Sequence, residues 1–423
     1  KILAYPKNII FDYKTYKLYN QFMNKLPDGW EEKYIEEVFE IRKNYTNARK
    51  DLDNNSNISY LHYGDIHKYY QHKLDCKNIS LPKISENKLS KYINKLELVK
   101  NGDLIVVDVS EDYKGICSSV EVKNLSYKLV SGLHTLLLRD KGNYFADGYK
   151  GYIFYNHNVH KECCKVATGI SVYGINRKNL KKIKIPIPPL DEQKRIASAL
   201  SKIDAYLENT IKLIEEKERF KRGIAKKLLT CKEGENIPEA RFKGFEDEWK
   251  TKTLENICKN IKTGKLNANA MEKDGQYRFY TCAKDYYKIN TYAFDGEAIL
   301  ISGNGAHVGY VHYYNGKFNA YQRTYVLMDF TENILFIKYY LDIHLKHKIN
   351  IENNKGNIPY IVLNTIKDME IKFPSLEEQE KIGGYLSLLD KEIDNLKKQK
   401  ELIKEMKRGA MQKLLSGEVR LLE

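Results

Sequence analysis

Paired cysteines and long apolar runs are both missing from this sequence, and each absence excludes something. The seven cysteines, at positions 76, 117, 163, 164, 231, 258 and 282, are odd in number, scattered and without a Cys-x-x-Cys. That argues against a zinc ribbon, a redox pair or a disulfide scaffold, and fits reduced thiols in a cytoplasmic protein. No stretch approaches the ~18 consecutive apolar residues of a membrane-spanning helix. The opening "KILAYPKNII" has no apolar core of signal-peptide length, so neither secretion nor membrane spanning is expected. The chain starts on Lys1 rather than Met, so a few native residues are expected ahead of it.

Catalytic signatures are missing too. A DNA amino-methyltransferase carries N-P-P-Y or D-P-P-Y/F. The nearest approach is "NIPY" (357–360), with Ile358 in place of the first proline, and no F-x-G-x-G is present to hold S-adenosylmethionine. Asp112 with "EVK" (121–123) has the outline of a Mg²⁺-dependent nuclease, but Glu-x-Lys is commonplace in a chain this rich in both residues, and solvated charge is the ordinary reading. "GNGAHVG" (303–309) lacks the Lys-Ser/Thr of a phosphate loop, and the ten histidines form no H-E-x-x-H or H-x-E…C-x-x-C pattern. No metal or cofactor site is expected, and the chain reads as non-catalytic.

What the sequence does have is basic charge, tyrosine and a repeat. Its 423 residues suit two to four units, and the 42% hydrophobic content is ample for packed cores. A formal charge of +15 and a pI near 9.1 favour a polyanionic partner, nucleic acid before an anionic membrane surface. Only 12 of the 71 basic residues are Arg, so part of this excess reflects the Lys, Asn, Ile and Tyr bias of an A+T-rich genome.

The repeat is the dominant signal. "PPLDEQKRIASAL" (188–200) returns as "PSLEEQEKIGGYL" (374–386), and at this constant offset of 186 there are 17 identities over the 44 positions 188–231. They include Glu192-Gln193 with Glu378-Gln379, Asp204 with Asp390, Lys221-Arg222-Gly223 with Lys407-Arg408-Gly409, and Lys227-Leu228-Leu229 with Lys413-Leu414-Leu415. Proline just before each start and an acidic pair in the first turn predict helices. Apolar residues step by four and three through Ile196, Leu200, Ile203 and Leu207, then Ile214. The second copy runs Ile382, Leu386, Leu389, Ile393 and Leu396, again the narrow seam of a coiled coil. Some forty residues at about 1.5 Å each make a rod of roughly 60 Å.

Two blocks rich in Tyr, Ile and Val precede the rods. "DLIVVDV" (103–109), "HTLLLR" (134–139), "EAILIS" (297–302) and "RTYVLMDF" (323–330) predict strands, and "ILFIKYYLDIHL" (334–345) a helix. The blocks share their edges: Trp30 and Trp249 lead similar openings, and "LKKIKIPIP" (180–188) matches "IKDMEIKFP" (366–374). Their interiors show no convincing match. The expected division is a globule at 1–187, a central helix and linker at 188–235, a second globule at 236–373 and a C-terminal helix at 374–423.

This pattern resembles the specificity subunit of a Type I restriction-modification enzyme. The likeness rests on "IPIPPLDEQKRI" with "KRGIAKKLL", "FPSLEEQEKI" with "KRGAMQKLLSG", the two Trp-led openings, and "ISGNGAHVGYVHYYNGKFNAYQRTYVL" (301–327). The resemblance implies an α+β protein: two globular, mixed α/β target-recognition domains separated by two long antiparallel coiled-coil helices in a pseudo-twofold tandem repeat. It implies a non-catalytic, DNA-binding subunit in which each domain reads one half of a split duplex target. Two methyltransferase subunits and ATP-dependent restriction subunits would dock on it, bringing S-adenosylmethionine, ATP and Mg²⁺ with them and methylating adenine.

Phosphate contacts supply affinity and base-edge contacts supply choice, with Arg the usual reader of guanine and Asn or Gln of adenine. After an opening helix, "IRKNYTNARK" (41–50) offers Arg42, Lys43, Asn44, Asn47 and Arg49. The corresponding "IKTGKLNANA" (261–270) offers Lys262, Thr263, Lys265 and Asn267. Further candidates are Asn304, His307, Gln322 and Arg323 in the second globule, and Ser110, Tyr113 and His134 in the first. Thr168, Ser171, Lys355 and Asn357, beside Gly169 and Gly356, are candidates for phosphate contact. Two other readings compete: a coiled-coil, protein-binding scaffold with incidental charge, and, more distantly, a standalone nuclease.

Overall fold

The computed structural model describes residues 26–77, 79–89, 96–352 and 360–422. Internal contacts divide the chain into two units, one made of 1–208 with 401–423 and the other of 209–400, so the division falls inside the two long helices.

In the first unit the frame is a pair of antiparallel strands from opposite ends of the domain. Glu31–Tyr34 pairs with Lys184–Ile187, Glu31 opposite Ile187. The segment after Trp30, expected to be a helix, is strand, a single helical turn Ile35–Val38, then strand Phe39–Arg42. Ile35 and Val38 bury their side chains at helical spacing, but the flanking residues are claimed by strand partners far along the chain, which no local pattern reveals.

The central sheet of this unit has five strands in the order Phe39–Arg42, Thr135–Asp140, Leu104–Val107, Ser119–Lys123 and His72–Asp75; all pairs are antiparallel except the last. Both faces are covered. Leu104 and Val106 join one core with Trp30 and the start of the first long helix, while Ile105 and Val107 join another. A three-stranded sheet, Lys83–Ile84, Ile58–Leu61 and Leu129–Ser131, lies in the same unit.

The second unit repeats the frame. Lys250–Thr253 pairs antiparallel with Glu370–Phe373, and a single turn Leu254–Ile257 leads into Cys258–Thr263. The interior differs. Six strands run in the order Cys258–Thr263, Thr324–Phe330, Phe294–Ser302, Val311–Ala320, Tyr277–Tyr280 and Tyr287–Ile289, with one parallel pair, Tyr277–Tyr280 beside Val311–Ala320. The expected helix at 334–345 extends over Ile334–Glu352.

The two long helices are Leu190–Leu229 and Leu376–Ser416. Their repeated residues have matching jobs. Glu192 accepts hydrogen bonds from Trp30 Nε1 (2.9 Å) and from Arg420 Nε and Nη2 (2.7 and 2.8 Å); Glu378 accepts from Arg241 Nε and Nη2 (2.9 and 2.8 Å). Burial works against ionisation of Glu192, but the Arg420 guanidinium and the indole N–H outweigh it and hold the carboxyl below its usual range. Arg241 comes from the segment between helix and second domain, and Arg420 from the C-terminal tail, where "EARF" (239–242) is echoed by "EVRL" (418–421).

The neighbouring glutamines are also buried and fully used. Gln193 accepts from Ala146 N and donates to Tyr144 O and Pro188 O; Gln379 accepts from Asn333 N and donates to Glu332 and Pro374 O. Each Glu-Gln pair thus ties the first turn of a rod to its domain, which buried polar groups require of their surroundings.

Further along, one ion pair between the two helices recurs in both units with the roles exchanged. Asp204 meets Lys407 at 2.5 Å in the first unit, and Asp390 meets Lys221 in the second. Since 204 matches 390 and 221 matches 407 in the repeat, these are the same antiparallel contact made twice. Tyrosines from the domains complete both sites, Tyr152 donating to Asp204 (2.8 Å) and Tyr339 to Asp390 (2.6 Å). The carbonyls of the matched Leu415 and Leu229 accept from Asn156 and His344. The seam residues Ile196, Leu200, Ile214, Ile382, Leu386, Leu389 and Ile393 are buried.

Candidate nucleic-acid interface

In the first domain, several of the sequence-derived candidates gather where strand Phe39–Arg42 ends, Thr135–Asp140 begins and Leu104–Val107 ends. Asn44 accepts a hydrogen bond from Arg177 (2.5 Å), and Arg177 acts on Asp108. His134 Nδ1 stands 3.3 Å from Asp108 Oδ1, with the His134 backbone at φ 56°. Burial pushes the Asp108 carboxyl up, against the pull of His134 and Arg177.

Strand Val109–Ser110 pairs with Tyr173–Gly174, and Thr168 exchanges backbone hydrogen bonds with Gly174. Tyr113 is half exposed and stacks on Tyr173 with ring centroids 4.0 Å apart. Ser110 is buried and hydrogen-bonded with Asp112, and Ser171 is exposed in the same stretch.

The remaining first-domain candidates differ in how free they are. Arg42 is engaged by Glu40 at 2.7 Å, and Arg49 by Asp65 at 2.8 Å. Lys43 lies near the Tyr45 ring, 6.0 Å from its centroid. Asn47 donates to Lys88 O at 3.4 Å and lends its own carbonyl to Tyr60.

The second domain gathers its candidates at one end of the six-stranded sheet. Thr263 is in register with Tyr325, and Gly264 N–H donates to Thr324 O. Gly264 has no room for a side chain: a Cβ there would sit 1.9 Å from Ala320 O, which fixes the close crossing of the two segments. Gln322 N–H donates to Leu266 O and Gly303 N–H to Arg323 O, which joins the 262–267, 303–307 and 322–323 segments. Lys262, Thr263, Lys265, Asn267, Gln322 and Arg323 are exposed; Asn304 and His307 are half-buried. Lys355 and Asn357 lie outside the described residues, as does Gly356.

The carboxylates of the nuclease-like pattern have other work. Glu121 is buried and accepts from Gly148 N (2.8 Å) and Gly151 N (3.2 Å), while Asp112 accepts from Gly115 N. Among the described residues, no group of three or more His, Cys, Asp or Glu side chains could hold a metal ion, and no helix is long and apolar enough to cross a membrane. All seven cysteines are free.

Sequence reasoning overlooked Arg177 and the aromatic and histidine neighbours Tyr63, His67 and Tyr173. Tyr63 packs edge-on to His67 and His134, and His67 Nε2 stands 3.2 Å from Val109 O. Arginine scarcity is the one sequence signal that would have singled out Arg177; the others come together only through strand pairing.

The family model described as the Type I restriction modification DNA specificity domain matches residues 27–216 and again 246–405. The chain is 27% identical to the putative type I restriction enzyme MjaX specificity subunit of Methanocaldococcus jannaschii, over 97% of this chain and 98% of that one. It is 40% identical to the EcoDI specificity subunit of Escherichia coli over 170 residues, which cover 40% of this chain and 37% of that one. In fold it resembles the crystal structure of a Type I restriction-modification S subunit from M. genitalium, with TM-score 0.56, 18% identity, and 93% and 98% of the two chains covered. A chain from a structural study of complex assembly and conformational transition in the type I R-M system aligns with TM-score 0.58 and 15% identity over 93% and 100%.

The chain therefore belongs to the Type I restriction-modification specificity-subunit family, with two target-recognition domains joined through long helices. A bare protein-binding scaffold is not favoured.

Proposed function

We propose that this subunit reads a bipartite duplex, one half-site per recognition domain, through the polar and basic loop residues gathered at one end of each central sheet. One observation carries this reading. The strand frames, the rods and a cross-helix Asp–Lys pair recur at matching positions, with 17 identities over the 44 aligned rod residues, while the sheet interiors and the loops they present are unlike. A doubled holder with unlike contents suits two half-sites of different sequence on opposite strands. The exposed set Lys262, Lys265, Asn267, Gln322 and Arg323 has the composition of phosphate and base-edge contacts.

The helices set the number of untouched base pairs between half-sites and, with the linker, form the docking surface for two methyltransferase subunits and for restriction subunits. S-adenosylmethionine, ATP and Mg²⁺ belong to those partners, which methylate adenine after base flipping and cut DNA, and this chain needs no cofactor of its own. The assembly works in the cytoplasm.

Salt-titrated binding to duplexes tests the reading. Affinity should fall steeply with salt, with a log–log slope of about −0.9 per phosphate contacted, and should favour one split sequence. No duplex preference at any salt, with or without methylating partners, contradicts it.

A further inference from the structure

Arginine is scarce enough in the two domains that each one can be followed to its partner. Arg42, Arg49 and Arg139 face carboxylates, and Arg177 is held by Asn44 beside Asp108. Among the described residues, Arg278 and Arg323 have no ion pair. Arg323 is in the loop cluster already described. Arg278 is elsewhere, on strand Tyr277–Tyr280, and its surroundings are unusual.

Its guanidinium lies between two aromatic rings, with Cζ 4.2 Å from the Tyr286 centroid and 4.3 Å from that of Tyr314, and Nη1 donates to Tyr280 Oη at 3.2 Å. Rings on both sides hold the planar cation in place and leave its charge uncancelled. The groove over it holds about 460 Å³ and is lined further by Lys288, Lys317, Gln276 and Tyr277. Three cations and no carboxylate line this space. Lys288 and Lys317 are exposed and have no ion pair among the described residues, Lys317 resting 4.6 Å over the Tyr292 ring. Asp295 stands opposite Lys317 in the strand pair, but no carboxylate lines the groove itself, so an anion entering it meets three cations and no competing acid.

We infer that this groove is a phosphodiester-binding site of the second recognition domain, in which Arg278 is the fixed donor and Lys288 and Lys317 the flexible ones. The inference rests on the DNA-reading function proposed above and extends it to residues outside the loop cluster. The two regions are continuous along one strand: Tyr280 O accepts the Tyr321 N–H (2.9 Å) beside Gln322 and Arg323, and Arg278 lies two residues, about 7 Å, further back. A duplex backbone leaving the reading loops along that strand would meet the groove next. The contact is sequence-independent, because a phosphate carries no base identity.

The experiment uses the full chain, assembled with its methylating partners, and duplexes containing the split motif methylated in its source genome. R278Q should bind about tenfold more weakly, equally for the matched duplex and for one altered in the second half-site. Its salt slope should be shallower by about 0.9. K288Q/K317Q changes only surface residues and keeps the test decisive where R278Q does not fold; its slope should be shallower by up to about 1.8.

If the wild-type assembly shows no duplex preference, the DNA reading itself is lost. If the wild type discriminates and both variants keep its affinity and slope, only the groove assignment falls. Loss of preference at a single base pair with an unchanged slope would make Arg278 a base reader and overturn the phosphate assignment.

Discussion

Replacing Arg241 by methionine strands the Glu378 carboxylate in the second unit. Glu378 is 1% exposed and the Arg241 side chain 13%, and the pair is bidentate at 2.9 and 2.8 Å. Breaking a buried pair by removing one partner costs about 3–5 kcal/mol, because the remaining charge has no water to return to. The slight exposure of Arg241 places the expected loss near 3 kcal/mol. With a urea dependence of about 3 kcal/mol per molar, that lowers the unfolding midpoint by about 1 M. Removing both charges together, in R241M/E378Q, should cost less than R241M alone, since no ion is then left buried.

The two tryptophans make the assay specific. Trp249 is in the second unit and Trp30 in the first, so W30F leaves Trp249 fluorescence as the reporter of the unit being perturbed. The same cycle on Arg420 and Glu192, read from Trp30 in a W249F background, should show a smaller loss for R420M, because Trp30 Nε1 still donates to the carboxylate. An R241M loss below about 0.5 kcal/mol, or a double variant as unstable as the two single losses added, would refute the reasoning.

Three further outcomes are expected. D204N and D390N remove the same doubled contact, each with a tyrosine and a lysine donor, so each should cost its own unit about 1.5–3 kcal/mol and leave the other unit's midpoint unchanged. His72 is buried against Tyr152 and Tyr155, and burial, aided by Lys407, holds its imidazole well below 6.5. The unfolded chain therefore binds the proton first, and stability of the first unit should fall by up to about 1.4 kcal/mol per pH unit below pH 6.5; His72→Asn, which tolerates the φ of 60°, should remove that part of the slope in pH-dependent denaturation. Inserting seven residues, two helical turns or about 10.5 Å, after Glu208 and again after Lys400 should lengthen the spacer of the methylated motif by about three base pairs while keeping both half-sites.

What the sequence revealed and what it hid follow from the range of the interactions involved. The rods were legible because their apolar seam is local and written twice, and strands such as Leu104–Val107 because both faces are buried and the run is continuously apolar. The strand–turn–strand after Trp30 was not legible: its partner strand, Lys184–Ile187, is about 150 residues away. The purpose of the repeated Glu-Gln was hidden for the same reason, since Arg420 reaches Glu192 from the far end of the chain. Among the candidate readers, sequence position alone could not tell exposed Lys265 or Arg323 from Arg42, which Glu40 engages, or from buried Ser110. Arg278 escaped notice because its tyrosine sandwich is assembled by a parallel strand pair and the loop around Tyr286.

The most direct test of the whole account is modified-base sequencing of the source genome with this gene intact, deleted, or carrying the interior of its second domain (258–362) exchanged for that of a relative. The expected result is adenine methylation at one split motif, its disappearance on deletion, and a change confined to one half-site on exchange. Methylation that survives deletion at every split motif, or an exchange that alters both half-sites together, contradicts it.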